Sequence, residues 1–140
     1  MKVKISVSYN AAKLASEMPK IIDKYMEGIG MSFEKGSKAK IDKGLSPALA
    51  TYTINKRILD GISGVKPLFA TGRLYKSIKG TKDGLKMVDY GIEQHRGINP
   101  NPDPRFKNPI PPRPFISRDK KEESKSMDVF KKNIREAFKK

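Results

Sequence analysis

The chain holds one histidine and no cysteine, so few of its residues could carry proton or metal chemistry. His95 stands between Gln94 and Arg96, just ahead of Gly97. It could act as a general base or a metal ligand. The alternative, which its neighbours favour, is a hydrogen-bonding residue that fixes the Gly97 turn. A metal site would need two or three more histidine or carboxylate ligands at close spacing, and none cluster near it. Asp83 and Asp89 could form a carboxylate pair in principle, but Asp83 belongs to a turn signal and Asp89 reads as a solvated strand end. No Gly-x-Ser-x-Gly elbow, phosphate-binding loop or dinucleotide fingerprint is present. Without cysteine there are no disulfides and no thiolate chemistry. Catalysis is not expected, and neither a cofactor nor a metal.

The other residues that stand out suit contact better than reaction. In Thr71-Gly72-Arg73, a threonine hydroxyl can cap a turn and the glycine supplies backbone geometry that other residues resist. That accounts for Thr71 and Gly72 and leaves Arg73 without a local role. Arg113 sits between Pro112 and Pro114, ahead of Phe115. A guanidinium on a stiff frame beside an aromatic has the composition of an interface hot spot, and an internal fork-bonding role fits as well. If Arg113 faces a partner, a bidentate bond to a carboxylate is its natural use, while Phe115 should bury beside Leu68 or Phe69. Arg105, Phe106 and Lys107 place an apolar anchor between charges inside a proline-rich stretch.

Patterning supplies the elements that must position these residues. Residues 2–8 alternate, with Val3, Ile5 and Val7 on one face, as in a half-buried strand. From Asn10 the period changes to three and four, and Leu14, Met18, Ile21, Ile22, Tyr25 and Ile29 form one stripe. Pro19 has no N–H to give Ala15, which predicts a short helix over 10–17 and a longer one from 19 to about 43. Gly28, Gly30 and Gly36 weaken that helix by about 1 kcal/mol each relative to alanine, so it needs packing to persist. A shorter helix capped by Ser46 follows and closes near Gly61. Residues 74–81 and 85–90 read as two strands joined at Asp83-Gly84. Residues 98–112 hold six prolines and read as a docking loop. Residues 113–116 read as an edge strand and 126–139 as an amphipathic helix. The expected fold is α+β, with N-terminal helices packed on a small antiparallel sheet, a long proline loop and a C-terminal helix. Residues 1–140 should form one domain.

The net charge is +15 over 140 residues, and it is spread along the chain. Basic and acidic side chains number 9 and 5 over residues 1–44, 9 and 4 over 45–97, and 12 and 6 over 98–140. Every third of the chain carries an excess and no polybasic tail exists. That favours a lysine-rich solvated surface or a broad field facing a polyanion over a dedicated base-reading element. No apolar run approaches the roughly 18 residues of a membrane span. The start of the chain lacks the apolar stretch of a secretory signal, so the protein is expected to act where it is made.

Three motifs carry a resemblance. Pro67-Leu68-Phe69-Ala70-Thr71-Gly72-Arg73-Leu74-Tyr75-Lys76-Ser77-Ile78 comes first, then Gln94-His95-Arg96-Gly97, then Ile110-Pro111-Pro112-Arg113-Pro114-Phe115-Ile116. In this order they are similar to the virion-morphogenesis, or tail-completion, proteins of tailed bacteriophages, over about residues 45–116. One departure is Leu45, where relatives often carry a tryptophan. The resemblance implies a structural protein of the virion neck, assembled in the host cytoplasm as a homo-oligomeric, hexameric ring. It implies a head–tail adaptor or connector on one side and a tail-tube or tail-terminator protein on the other. Double-stranded DNA would pass through the lumen without sequence-specific binding, and no membrane would be involved. Thr71, Gly72, Arg73, His95, Arg105, Phe106, Lys107, Arg113 and Phe115 are the candidate interface residues. Two other classes stay open: a small basic DNA- or RNA-binding protein, and a small hydrolase with His95 as base.

Overall fold

The computed structural model describes residues 10–98 and 110–139. The strand expected over residues 2–8 lies outside them, as does most of the proline loop with Arg105, Phe106 and Lys107. Five helices and one two-stranded sheet make up the described residues, an α+β arrangement dominated by helix.

Helix α1 runs unbroken over Ala11–Lys43, about 50 Å. The side chain of Asn10 caps it, accepting a hydrogen bond from the Lys13 amide at 2.9 Å. The break expected at Pro19 does not occur. Ala15 and Pro19 both face solvent, so the carbonyl that Pro19 leaves without a donor is open to water. The apolar stripe therefore continues across the proline to the buried Ile21.

Helix α2, Thr51–Leu59, starts later than expected, with Ala50 rather than Ser46 at its N-cap and no side-chain cap bond. Residues 74–81 divide into helix α3, Arg73–Ser77, and strand β1, Lys79–Thr81. The helical half follows from Leu74 and Ile78, which are four apart and both buried, with Lys76 exposed between them; a strand would put all three on one face. The Ser77 hydroxyl donates to the Leu74 carbonyl at 2.7 Å and closes the turn.

Strand β2 is only Gly84–Lys86, paired antiparallel with β1 as Lys79 with Lys86, Gly80 with Leu85 and Thr81 with Gly84. The two-residue turn is thus Lys82-Asp83, one position earlier than Asp83-Gly84. Gly84 opens the strand at φ 130°. Of the expected partner strand's remainder, residues 87–89 are loop and Tyr90 opens helix α4, Tyr90–Arg96. Helix α5, Lys120–Phe138, begins six residues before the expected start. Asp119 caps it by accepting from the Lys121 and Glu122 amides at 2.9 and 3.0 Å. Those amides, the one on Glu122 foremost, hold the Asp119 carboxyl below its usual range.

The glycines of α1 serve close packing. Gly28 lies against Ser126, Gly36 against the backbone of Ser117 to Asp119, and Gly30 against the backbone of Thr81 and Gly80. A methyl group at Gly30 or Gly36 would meet main-chain atoms that cannot step aside. Near them Ser32 and Ser37 are fully buried and use their hydroxyls on the segment before α5. Tyr25 meets Phe130 with ring centroids 4.7 Å apart, and Lys35 pairs with Glu122 at 2.9 Å. Contacts that descend α1 while ascending α5 make the two helices antiparallel. The hairpin docks on another part of α1, with the Gly80 amide donating to Glu34 at 2.8 Å.

Residues 113–119 form no edge strand. They run extended as a strap between α4 and α1, and their amides go to those helices: Arg113 to the Gln94 carbonyl at 3.1 Å, Ile116 to His95 Nδ1 at 3.3 Å, Ser117 to Ser37 Oγ at 3.2 Å and Asp119 to the Ser32 carbonyl at 3.0 Å. Phe115 turns inward from the strap and is fully buried with Ile41, Leu74 and Ile78. Leu45, Leu68 and Phe69 pack around that cluster.

Gly30→Ala offers a direct check. On helix propensity alone it would gain about 1 kcal/mol. Against the Thr81 backbone it should instead destabilise the protein by roughly 1–3 kcal/mol, as overpacking does. Chemical denaturation of the variant reads the sign.

Candidate functional site

The three motifs meet at one cleft. Its volume is about 190 Å³, and its wall includes Thr71, Gly72, Arg73, Gln94 and Arg113 with Arg57 from α2. Gly72 holds φ 73° and ψ 5°, left-handed geometry at the start of α3. Its surroundings would tolerate a methyl group, so the backbone angle and not the space calls for glycine. The Thr71 hydroxyl accepts weakly from the Arg73 amide at 3.4 Å, as a turn cap should. Leu68, also on the wall, has a positive φ of 62°, uncommon for a residue with a side chain. Its side chain reaches the core from that position. Arg73 is exposed.

Arg113 resolves to the internal alternative. It is 7% exposed, its Nε donates to the Pro47 carbonyl at 3.0 Å and its Nη2 to the Ala48 carbonyl at 3.4 Å. The fork closes on two main-chain carbonyls and not on a carboxylate. It ties the strap to the chain entering α2. Burial, and after it the nearby Arg57, push the Arg113 guanidinium below its ordinary pKa. Arg57 is held at the opposite side by the Gly64 and Lys66 carbonyls, at 2.7 and 3.1 Å. Arg57 was not singled out from the sequence. The proximity of Gly64 and Lys66 seven and nine positions on was its only signal.

His95 does not fix the Gly97 turn. That turn closes through the Gly97 amide on the Glu93 carbonyl at 2.8 Å. The imidazole accepts from the Ile116 amide through Nδ1, so the ring proton is on Nε2. It also stands edge-on to Phe115 with centroids 5.5 Å apart. Burial, then Lys40 and Arg96, lower its pKa. His95 and Phe115 are thus joined to each other inside the domain, whereas Arg73 faces out at the cleft. Among the described residues no group of three or more histidines, aspartates or glutamates could hold a metal, and no helix is long and apolar enough to cross a membrane.

Helix α2 has no buried residue, and Tyr52, Ile58, Leu59 and Val65 are each more than half exposed. Comparison with protein-family models, curated proteins and solved structures finds no match to this chain.

Two variants test these assignments. Arg113→Ala should cost roughly 2–3 kcal/mol, because two main-chain acceptors lose a charged donor. Arg113→Lys should recover little of this, since an ammonium cannot span both carbonyls as the planar fork does. Denaturant midpoints compare the three proteins.

The second concerns pH. The native pKa of His95 is depressed below the unfolded value of 6.5, so the unfolded chain takes up a proton first as pH falls. The contribution is fully present above that value and declines below it until the native histidine itself titrates. Stability should fall as pH drops through and below about 6.5, the unfolded value, toward the lower native pKa. His95→Gln should flatten that interval in denaturation curves.

Proposed function

We propose that the chain is a structural protein of the neck of a tailed-phage virion, a tail-completion component that assembles as a ring where tail meets head. The observation that carries this reading is the ordered set of three motifs, from Pro67 through Gln94 to Phe115. Their convergence on one cleft supports treating them as a single functional unit. The exposed apolar side chains of α2 give a ring component a surface to bury against a neighbour. The charge of +15 suits a lumen that passes DNA by long-range attraction without reading bases. Adaptor and tail-tube or tail-terminator proteins are the proposed neighbours above and below, and a hexamer the proposed ring. The reading assigns no reaction to the chain.

The alternative, a small basic DNA- or RNA-binding protein, rests on the same charge. Binding as a function of salt separates the two. A dedicated binder holds nucleic acid with submicromolar affinity at physiological salt, whereas a ring component associates with its own copies and its neighbours without it.

On this reading the chain is monomeric or weakly associated when dilute. It closes into a ring at high concentration or with its partners. Sedimentation across a concentration series, with negative-stain images in the presence of tail components, checks this. Monomers persisting within assembled particles would rule the ring out.

A further inference from the structure

Among the described residues the cleft wall has three arginines, Arg57, Arg73 and Arg113, and no carboxylate. Arg113 is buried, is bonded only to neutral carbonyls and has Arg57 near it. Carbonyls satisfy its N–H groups but leave the positive charge uncompensated. Buried charges are ordinarily paired, because an unpaired one loses hydration with nothing in return. Nη1 of Arg113 has no hydrogen bond among the described residues. The side chain of Arg73 forms no ion pair with a described residue either. The Thr71 hydroxyl and the Gln94 amide side chain add polar groups to the same wall. The cleft is a cationic recess that holds no anion among the described residues.

Size and surroundings decide which anion. A space of about 190 Å³ with a recessed guanidinium at its wall admits the tip of a side chain. It does not admit the backbone of a duplex, whose phosphates stand on a broad rigid rod. The wall itself is partly apolar, with half-buried Leu49, Leu68 and Ala70 beside the arginines. Nucleic acid has no use for such a wall, and a polypeptide does.

We propose that this cleft is a docking site for an acidic segment of another protein, in which an aspartate or glutamate side chain enters among Arg57, Arg73 and Arg113 while flanking apolar side chains meet Leu49, Leu68 and Ala70 of the same wall. The inference does not depend on the neck reading, since it follows from the charge and shape of the cleft alone.

The test uses the full chain with labelled arginine side chains, observed by NMR. The probes are a short capped peptide alternating glutamate and leucine, its counterpart with glutamine for glutamate, and a short blunt DNA duplex. The glutamate peptide should shift the Nε–H signals of Arg57, Arg73 and Arg113, and the glutamine peptide should not. Arg73→Gln, an exposed change that leaves the Arg113 brace intact, should weaken peptide binding about tenfold, the loss of one charge-assisted bond. Lys132→Gln, on the exposed side of α5, should leave binding unchanged. Three outcomes would overturn the proposal: no shift of these arginines at millimolar glutamate peptide, equal binding of the glutamine peptide, or stronger response of the same arginines to the duplex.

Discussion

The strap of residues 113–119 is the constraint on which the rest of the structure depends. An extended segment inside a domain must find partners for its amides, and here no neighbouring strand supplies them. Two helices do. Gln94 and His95 of α4 take the amides of Arg113 and Ile116, while Ser37 and Ser32 of α1 take those of Ser117 and Asp119. The bonds to α1 require main chain to lie against a helix, and that is possible only because Gly36 and the two serines keep its surface low. With the strap in place, Phe115 closes the core over Ile41, Leu74 and Ile78. Asp119 is delivered to the start of α5 as its cap.

The same placement shapes the cleft. The strap carries Arg113 to the chain just ahead of α2, and Arg57 braces α2 from its other end through Gly64 and Lys66. These ties to main-chain carbonyls hold a helix that buries nothing of its own. The result is a surface that sets charged and apolar side chains on one wall. Its firm part is made by the strap and its accessible part by α2 and Arg73.

Much of this was legible in the sequence wherever one side chain or one period dominates. The stripe from Leu14 to Ile29, the hairpin between β1 and β2, the left-handed Gly72 and the inward-facing Phe115 all follow from local chemistry. The failures have a common cause in contacts distant along the chain. Gly30 and Gly36 read as weak points because propensity registers a helix in isolation, while their value lies in the backbone that packs on them. Residues 113–116 read as a strand because their extended conformation is real, but their partners are helices. Arg113 could not be assigned from its prolines, which stiffen the backbone without showing which way the side chain turns. Arg57 gave almost no signal, since its partners are carbonyls that any residue would provide. Leu74 and Ile78 fit a strand or a helix in so short a window, and the exposure of Lys76, which a strand would turn to their face, marks the helix.

Native-state hydrogen exchange, read residue by residue, tests the central role of the strap most directly. If it joins α1 and α4 into one cooperative unit, the amides of Ser117, Asp119 and Gly80 should exchange only through global unfolding, together with the middle of α1. The amides of α2, which has no buried face, should exchange through local opening at much lower free energy. Rapid exchange at Ser117 and Asp119 beside a protected α2 would contradict the account, and would place the organising contacts of this domain elsewhere.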